Sequence, residues 1–165
     1  MEIKQLTIQG FKSFDNAQTI DFTKMESGFY FITGENKVEP RLGANGVGKS
    51  SIWDALCWVL YGKVSTSARA STYKNWHGKK PCKVILDFNH HGQDYHLERT
   101  WSPNTLKLAT NPITQEELTA IIGLDFSAFL YTIFVSQFSS KFFDLSPADK
   151  LGIFSEVLDL DKWKG

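Results

Sequence analysis

The chain has 165 residues, 42% hydrophobic and 22% charged, and its 18 Lys and Arg balance its 18 Asp and Glu. That length allows one domain with a core, and the zero net charge removes bulk electrostatics as an argument for nucleic acid or membrane. No apolar run is long enough to span a bilayer, and Met1-Glu2-Ile3-Lys4 lacks the apolar stretch of a secretion signal. Cys57 and Cys82 form no metal or redox spacing; Cys57 reads as a buried thiol, and a reducing cytosol is the simplest compartment. The aromatic share is high, 14%, which a well-packed core or a partner-facing surface would each explain.

In chain order, Ile3, Leu6 and Ile8 among polar residues predict a first strand over Glu2 to Gln9. Gly10-Phe11-Lys12-Ser13-Phe14 turns the chain, and Thr19 to Phe22 reads as a short strand. Phe29 to Thr33 reads as a buried strand feeding Gly43-Ala44-Asn45-Gly46-Val47-Gly48-Lys49-Ser50, which has the G-x-x-x-x-G-K-S spacing of a phosphate-binding P-loop. Glycines there let successive N–H groups point at phosphate oxygens, and the N-terminus of the following helix adds positive potential. Lys49 is expected on the β- and γ-phosphates of a nucleoside triphosphate and Ser50 on Mg²⁺, with Asn45, Gly46, Val47, Gly48 and Ser51 completing the nucleotide contacts; the resemblance given below makes that nucleotide ATP. Ile52 to Tyr61, apolar apart from Asp54, predicts a helix buried on most sides.

Gly62 to Gly78 reads as loop. From Ala55 to Leu86 the chain has no Asp or Glu, but holds Lys63, Arg69, Lys74, Lys79, Lys80 and Lys83, either phosphate contacts or a solvated face. Lys83 to Phe88 and Tyr95 to Trp101 flank Asn89-His90-His91-Gly92 as a hairpin, and Leu106 and Leu108 suggest another strand. Thr114-Gln115-Glu116-Glu117 is a capping box opening a helix that ends near Gly123. Phe126 to Thr132 predicts a short helix and Ile133 to Ser136 a strand. Ser146-Pro147 opens the last helix, with Ser as N-cap and Pro at the first position. His77, His90, His91 and His96 show no metal spacing.

The order of first strand, Gly10-Phe11-Lys12-Ser13-Phe14 turn, P-loop, meander and Phe134-Val135-Ser136-Gln137-Phe138 resembles the N-terminal half of the ATPase head of the SbcC or Rad-fifty family. These are relatives of the SMC proteins within the ABC-type ATPases, and the likeness spans nearly the whole chain. It implies an α/β fold: the N-terminal lobe of a P-loop ATPase head, with a mixed β-sheet, an antiparallel β-subdomain at about 82–109, flanking helices, and a helical segment at about 114–165 leading toward a coiled coil. It implies that Lys12 and Ser13 approach the nucleotide, Lys12 without the planar fork of the family's Arg. It also implies that Gln137 is the Q-loop glutamine, a Mg²⁺ ligand with Ser50 and a sensor of the γ-phosphate.

The signature Leu-Ser-Gly-Gly and a Walker B Asp-Glu are missing from this sequence. Val84-Ile85-Leu86-Asp87 imitates Walker B, but Phe88 follows and the stretch lies in the hairpin. The expectation is therefore half a head, inactive or nearly so alone. It would be completed by a C-terminal lobe, dimerise with a second copy through ATP, and gate double-stranded DNA toward a nuclease subunit of the SbcD or Mre-eleven type, with no membrane role. An SMC- or RecF-type tethering ATPase without a nuclease, and an unrelated complete P-loop NTPase or kinase, are the alternatives. The aromatic surface near 142–160 is either the nuclease dock or packing for the C-terminal lobe. Gly34-Glu35-Asn36 resembles the start of the family's Gly-x-Asn-Gly run, broken off and resumed at Gly43. The loop 35–43, with Lys37, Pro40 and Arg41, then reads as an insertion, a trait that suggests a bacteriophage member working in the host cytoplasm.

Overall fold

The computed structural model describes residues 1–37, 39–44, 46–65, 72–75, 78, 80–134 and 142–158. Among these, six strands form one sheet: β1 (Glu2–Gln9), β2 (Gln18–Asp21), β3 (Lys83–His90), β4 (Gln93–Thr100), β5 (Thr105–Leu108) and β6 (Asn111–Pro112). Their order is β2-β1-β3-β4-β5-β6, and each of these pairings is antiparallel. The sheet is accompanied by helices α1 (Lys49–Tyr61), α2 (Gln115–Ile122), α3 (Phe126–Thr132) and α4 (Pro147–Val157).

Alternation sets the face of each strand. Ile20, Leu6, Leu86, Leu97 and Leu108 lie side by side in register across β2, β1, β3, β4 and β5. With Ile8, Val84 and Phe88 they give the sheet its apolar face, and Leu6, Ile8, Val84, Leu86, Phe88 and Leu97 are buried. Helix α1 lies in the same core cluster and is buried continuously from Asp54 to Tyr61. Its other sides meet Leu118 and Ile122 of α2, Phe129 of α3, and Val64 and Tyr73 from the segment after it. The Tyr61 ring meets those of Phe126 and Phe129 at tilts of 52° and 51°. The burial on most sides expected from its apolar sequence is thus met by a sheet on one side and helices on the other.

Local signals placed most elements. The capping box of α2 is complete, with Thr114 and Glu117 exchanging side-chain and backbone bonds. Asp125 caps α3 through the Ala128 N–H at 2.7 Å, and Ser146 caps α4 through the Asp149 N–H at 3.2 Å. The β3–β4 hairpin turns at His91-Gly92, both with positive φ.

Two strand expectations fail where the residues are described. Phe29 to Thr33 is not a strand: it pairs with nothing in the sheet and is exposed, Phe29 at 109% and Phe31 at 93%. A strand needs a neighbour's N–H and C=O groups, and local propensity supplies none. The strand expected from Ile133 is also missing where it is described. Ile133 closes α3 and Phe134 continues without pairing, while the remaining residues, 135–136, lie outside the described set. In the other direction, β6 had no sequence signal, and Pro112 sits there on a sheet edge, where a missing donor costs least.

Candidate phosphate-binding site

The site is built at the N-terminus of α1. Gly43, Gly46 and Gly48 all have positive φ, and Gly48, at φ 86°, is the N-cap of α1. A side chain at Gly48 would suffer twice: the backbone is left-handed, and a Cβ would lie 3.1 Å from the Cβ of Ser13. Because the N-cap is glycine, no side chain caps α1, and its first turn holds no acid. Its leading N–H groups therefore keep their capacity for an anion. Lys49 curls back over the loop and its ammonium donates to the Ala44 carbonyl. Ser50 follows on the exposed side, while Ser51 is buried. Uncapped amides, a lysine folded over a glycine loop and an adjacent hydroxyl suit a polyphosphate with a divalent cation, so the residues present fit ATP and Mg²⁺.

The two halves of the split Gly-x-Asn pattern meet. The Asn36 N–H donates to the Gly43 carbonyl at 3.1 Å. The side chain of Val47 packs on Gly34, and the Asn36 amide lies beside Gly46. Between these ends the Asn36 side chain accepts the Glu39 N–H at 2.8 Å, and Pro40–Leu42 forms a single 3₁₀ turn. Lys37 and Arg41 are exposed on this loop.

The Gly10–Phe14 turn closes the site from the other side. Phe11 and Phe14 exchange backbone bonds at 3.0 and 2.8 Å, and Ser13 reaches Ser51, Oγ to Oγ, at 3.4 Å. Lys12, at φ 45°, sits in the left-handed region. Its N–H donates to the Tyr73 carbonyl at 2.7 Å, and its ammonium pairs with Asp54 Oδ2 at 2.5 Å. The other carboxylate oxygen of Asp54 accepts from the Ser65 N–H at 3.2 Å and the Ser65 hydroxyl at 2.7 Å.

Lys12, Ser13, Gly46, Val47, Gly48, Lys49, Ser50 and Ser51 are thus brought together at one end of α1. Asn45 and Gln137 lie outside the described residues. Asp54 was missed as a site residue; its signal was its position as the single charge in the apolar run from Ile52 to Tyr61, one turn after Ser50. Asp87, the imitation of Walker B, is remote in chemistry as well. It alternates away from buried Leu86 and Phe88 and pairs with His96 Nδ1 at 2.5 Å across the hairpin. Arg69 and Lys79 lie outside the described residues; of the others, Lys63 lies over the Phe126 ring at 5.5 Å, and Lys83 pairs with Glu98 at 3.5 Å.

The chain is similar to several known proteins. Residues 5–162 match the AAA_23 family, an AAA domain. The probable DNA double-strand break repair Rad50 ATPase of Aquifex aeolicus is 29% identical over 96% of this chain and 16% of its own length. The Rad50 ATPase of Methanocaldococcus jannaschii is 29% identical over 99% of this chain and 16% of its own. The chain therefore spans about a sixth of these relatives. The SbcC component of the SbcCD nuclease of Vibrio cholerae is 34% identical over 58% of the chain and 9% of its own length. Among solved structures, the SMC head domain of Thermotoga maritima aligns over 73% of this chain and 41% of its own with a TM-score of 0.44 at 21% identity. Among the described residues, no helix is long and apolar enough to cross a membrane.

Proposed function

Because the chain belongs to the AAA_23 family and is an N-terminal head region of the SbcC/Rad50 type, SMC-like, we propose that it is the ATP-binding half of a DNA repair ATPase. The observation that carries this reading is the uncapped N-terminus of α1 behind Gly46 and Gly48, with Lys49 folded over the loop. The N–H groups of Gly46, Val47, Gly48 and the first turn of α1 bind phosphate oxygens. Lys49 leaves the Ala44 carbonyl for the β- and γ-phosphates, where a charge-assisted bond replaces a neutral acceptor. Ser50 and Gln137 would hold the metal of ATP·Mg²⁺, which would supply charge neutralisation at the phosphates.

In the full protein a C-terminal lobe and a second head complete the site. ATP then favours the closed pair of heads because it touches both only there, and closure controls the access of double-stranded DNA to a nuclease partner of the SbcD type. Work of this kind belongs in the cytoplasm, or the host cytoplasm if the protein is phage-encoded. A tethering role without nuclease is the second reading, favoured by 41% identity over 75 residues to the chromosome partition protein Smc of Halobacteriovorax marinus. Recovery of a nuclease with the tagged full protein separates the two.

The first test is nucleotide binding by the full protein. Lys49→Ala is expected to weaken Mg·ATP affinity by about a hundredfold, the scale of losing charge-assisted bonds to phosphate. Unchanged affinity in a folded variant would reject the site.

A further inference from the structure

Asp54 is 4% exposed, a carboxylate inside an otherwise apolar stretch of helix. Its partners come from two other segments: the ammonium of Lys12 at 2.5 Å and, through its second oxygen, the Ser65 N–H and hydroxyl. A buried ion pair gains little net stability, because desolvation offsets most of its attraction. Lys12 adds a second cost, since its left-handed backbone at φ 45° suits glycine better. Two local costs at one pair point to a use for the charge at position 12 beyond holding the fold. The pair stands at the phosphate site. Asp54 is four residues after Ser50 and three after Ser51, so all three share one side of α1's first turns, and Ser13, next to Lys12, touches Ser51 and Gly48.

We propose that Asp54 is a positioning residue: anchored by Ser65, it holds the Lys12 ammonium beside the first turn of α1, where that charge serves the phosphates of the nucleotide. The inference rests on the nucleotide-binding reading above. Lys12 is held at both ends, its N–H by the Tyr73 carbonyl and its ammonium by Asp54. The stretch after α1 therefore fixes the backbone of this lysine directly, through Tyr73, and its tip indirectly, through the bonds of Ser65 to Asp54. Without the carboxylate, the lysine keeps its charge but loses its station, and the entropy of a free lysine is then taken from the binding step.

The test is a double-mutant cycle on Mg·ATP affinity in the full protein, with thermal melts of each variant. Lys12→Ala is expected to weaken binding about tenfold, the scale of one charge-assisted bond. Asp54→Asn keeps the acceptor for Ser65 but not the charge. It should weaken binding roughly three- to tenfold when Lys12 is present and less than about twofold in the Lys12→Ala background. Equal losses in both backgrounds, or none in either, overturn the inference while leaving the P-loop reading intact. Binding that is absent, or that ignores Lys49→Ala, overturns both. If Asp54→Asn fails to fold, Ser65→Ala loosens only the anchor. A loss of about twofold confined to the Lys12 background supports the proposal, and a background-independent change rejects it.

Discussion

Cys57 lies in the middle of α1, and burial pushes its thiol up to about 12, with the Asp54 carboxylate acting in the same direction. Burial likewise raises Cys82 to about 11, against an ordinary value of 9.0 for each. Both therefore stay protonated and inert in the folded chain at neutral pH. The sign of the pH dependence follows. A raised folded value means that the unfolded chain ionises first. The contribution is complete below pH 9.0 and is lost as pH rises through the window up to about 11 and 12. Each thiol contributes a slope of at most about 1.4 kcal/mol per pH unit there. Melts under reducing conditions at about pH 8 and about pH 10.5, either side of the ordinary thiol value, are expected to show a falling midpoint, with a shallower fall in the double variant Cys57→Ala/Cys82→Ala. An identical slope would remove the thiols from the account. The phenol of Tyr73, also raised by burial, contributes to whatever slope remains.

At the scale of elements, α1 is secured at the end opposite the phosphate loop by a residue from the sheet. Arg99 is 8% exposed and lies on the apolar face of β4, in register with Val84 and Leu106. Its Nε donates to the Val59 carbonyl at 3.1 Å, and its Nη2 to Gln115 Oε1 at 2.6 Å. Gln115 in turn donates to the Leu60 carbonyl at 2.9 Å, and the Gly62 N–H to that of Trp58 at 2.8 Å. Three successive carbonyls of the last turn of α1 thus have partners from outside the helix interior, as a buried helix end requires. Desolvation lowers Arg99 to about 10, which leaves it charged at neutral pH and suited to the negative end of the helix. Arg99→Ala should lower unfolding stability by about 2–4 kcal/mol, through an orphaned carbonyl and a cavity. Arg99→Met, which keeps the apolar stem, should cost less. The urea midpoint measures both, and a neutral Arg99→Ala would reject the cap.

The same elements show what the sequence could reveal. The bounds of β1 and α3, the β3–β4 hairpin and the caps at Thr114 and Ser146 were readable because their causes lie within a few residues. The glycine turn and the start of α1 at Lys49 were readable because Gly43, Gly46, Gly48, Lys49 and Ser50 lie close together in the chain. The remainder depends on distance along the chain. Lys12, Asp54, Ser65 and Tyr73 become one network only when three segments fold together, and no spacing encodes that. Phe29 to Thr33 has the composition of a strand, and composition alone does not provide a neighbour.

At the scale of the whole molecule, that exposed stretch is a large apolar surface among the described residues. Phe29, Tyr30, Phe31 and Ile32 are consecutive and exposed, immediately before the phosphate loop, an arrangement a lone soluble domain rarely leaves uncovered. Leu151, Phe154 and Leu158 of α4 and its end add a second apolar strip. The 165-residue chain made alone is expected to bind a hydrophobic dye and to self-associate. Phe29→Ser/Phe31→Ser should raise its monomer fraction in size-exclusion chromatography without lowering its melting point, since neither ring packs in the core. A monomeric, dye-silent parent chain would contradict this. The loop at the split motif behaves differently. With Asn36 bonded to Gly43, the backbone route from Gly34 to the cradle is already joined before residues 37–42 are counted. The described residues of that stretch, Lys37 and Glu39 to Leu42, are an appendage to the route rather than a part of it. Loop entropy grows only slowly with length once such a neck exists, so a segment here can be lengthened, recharged or exchanged without moving Gly46 and Gly48.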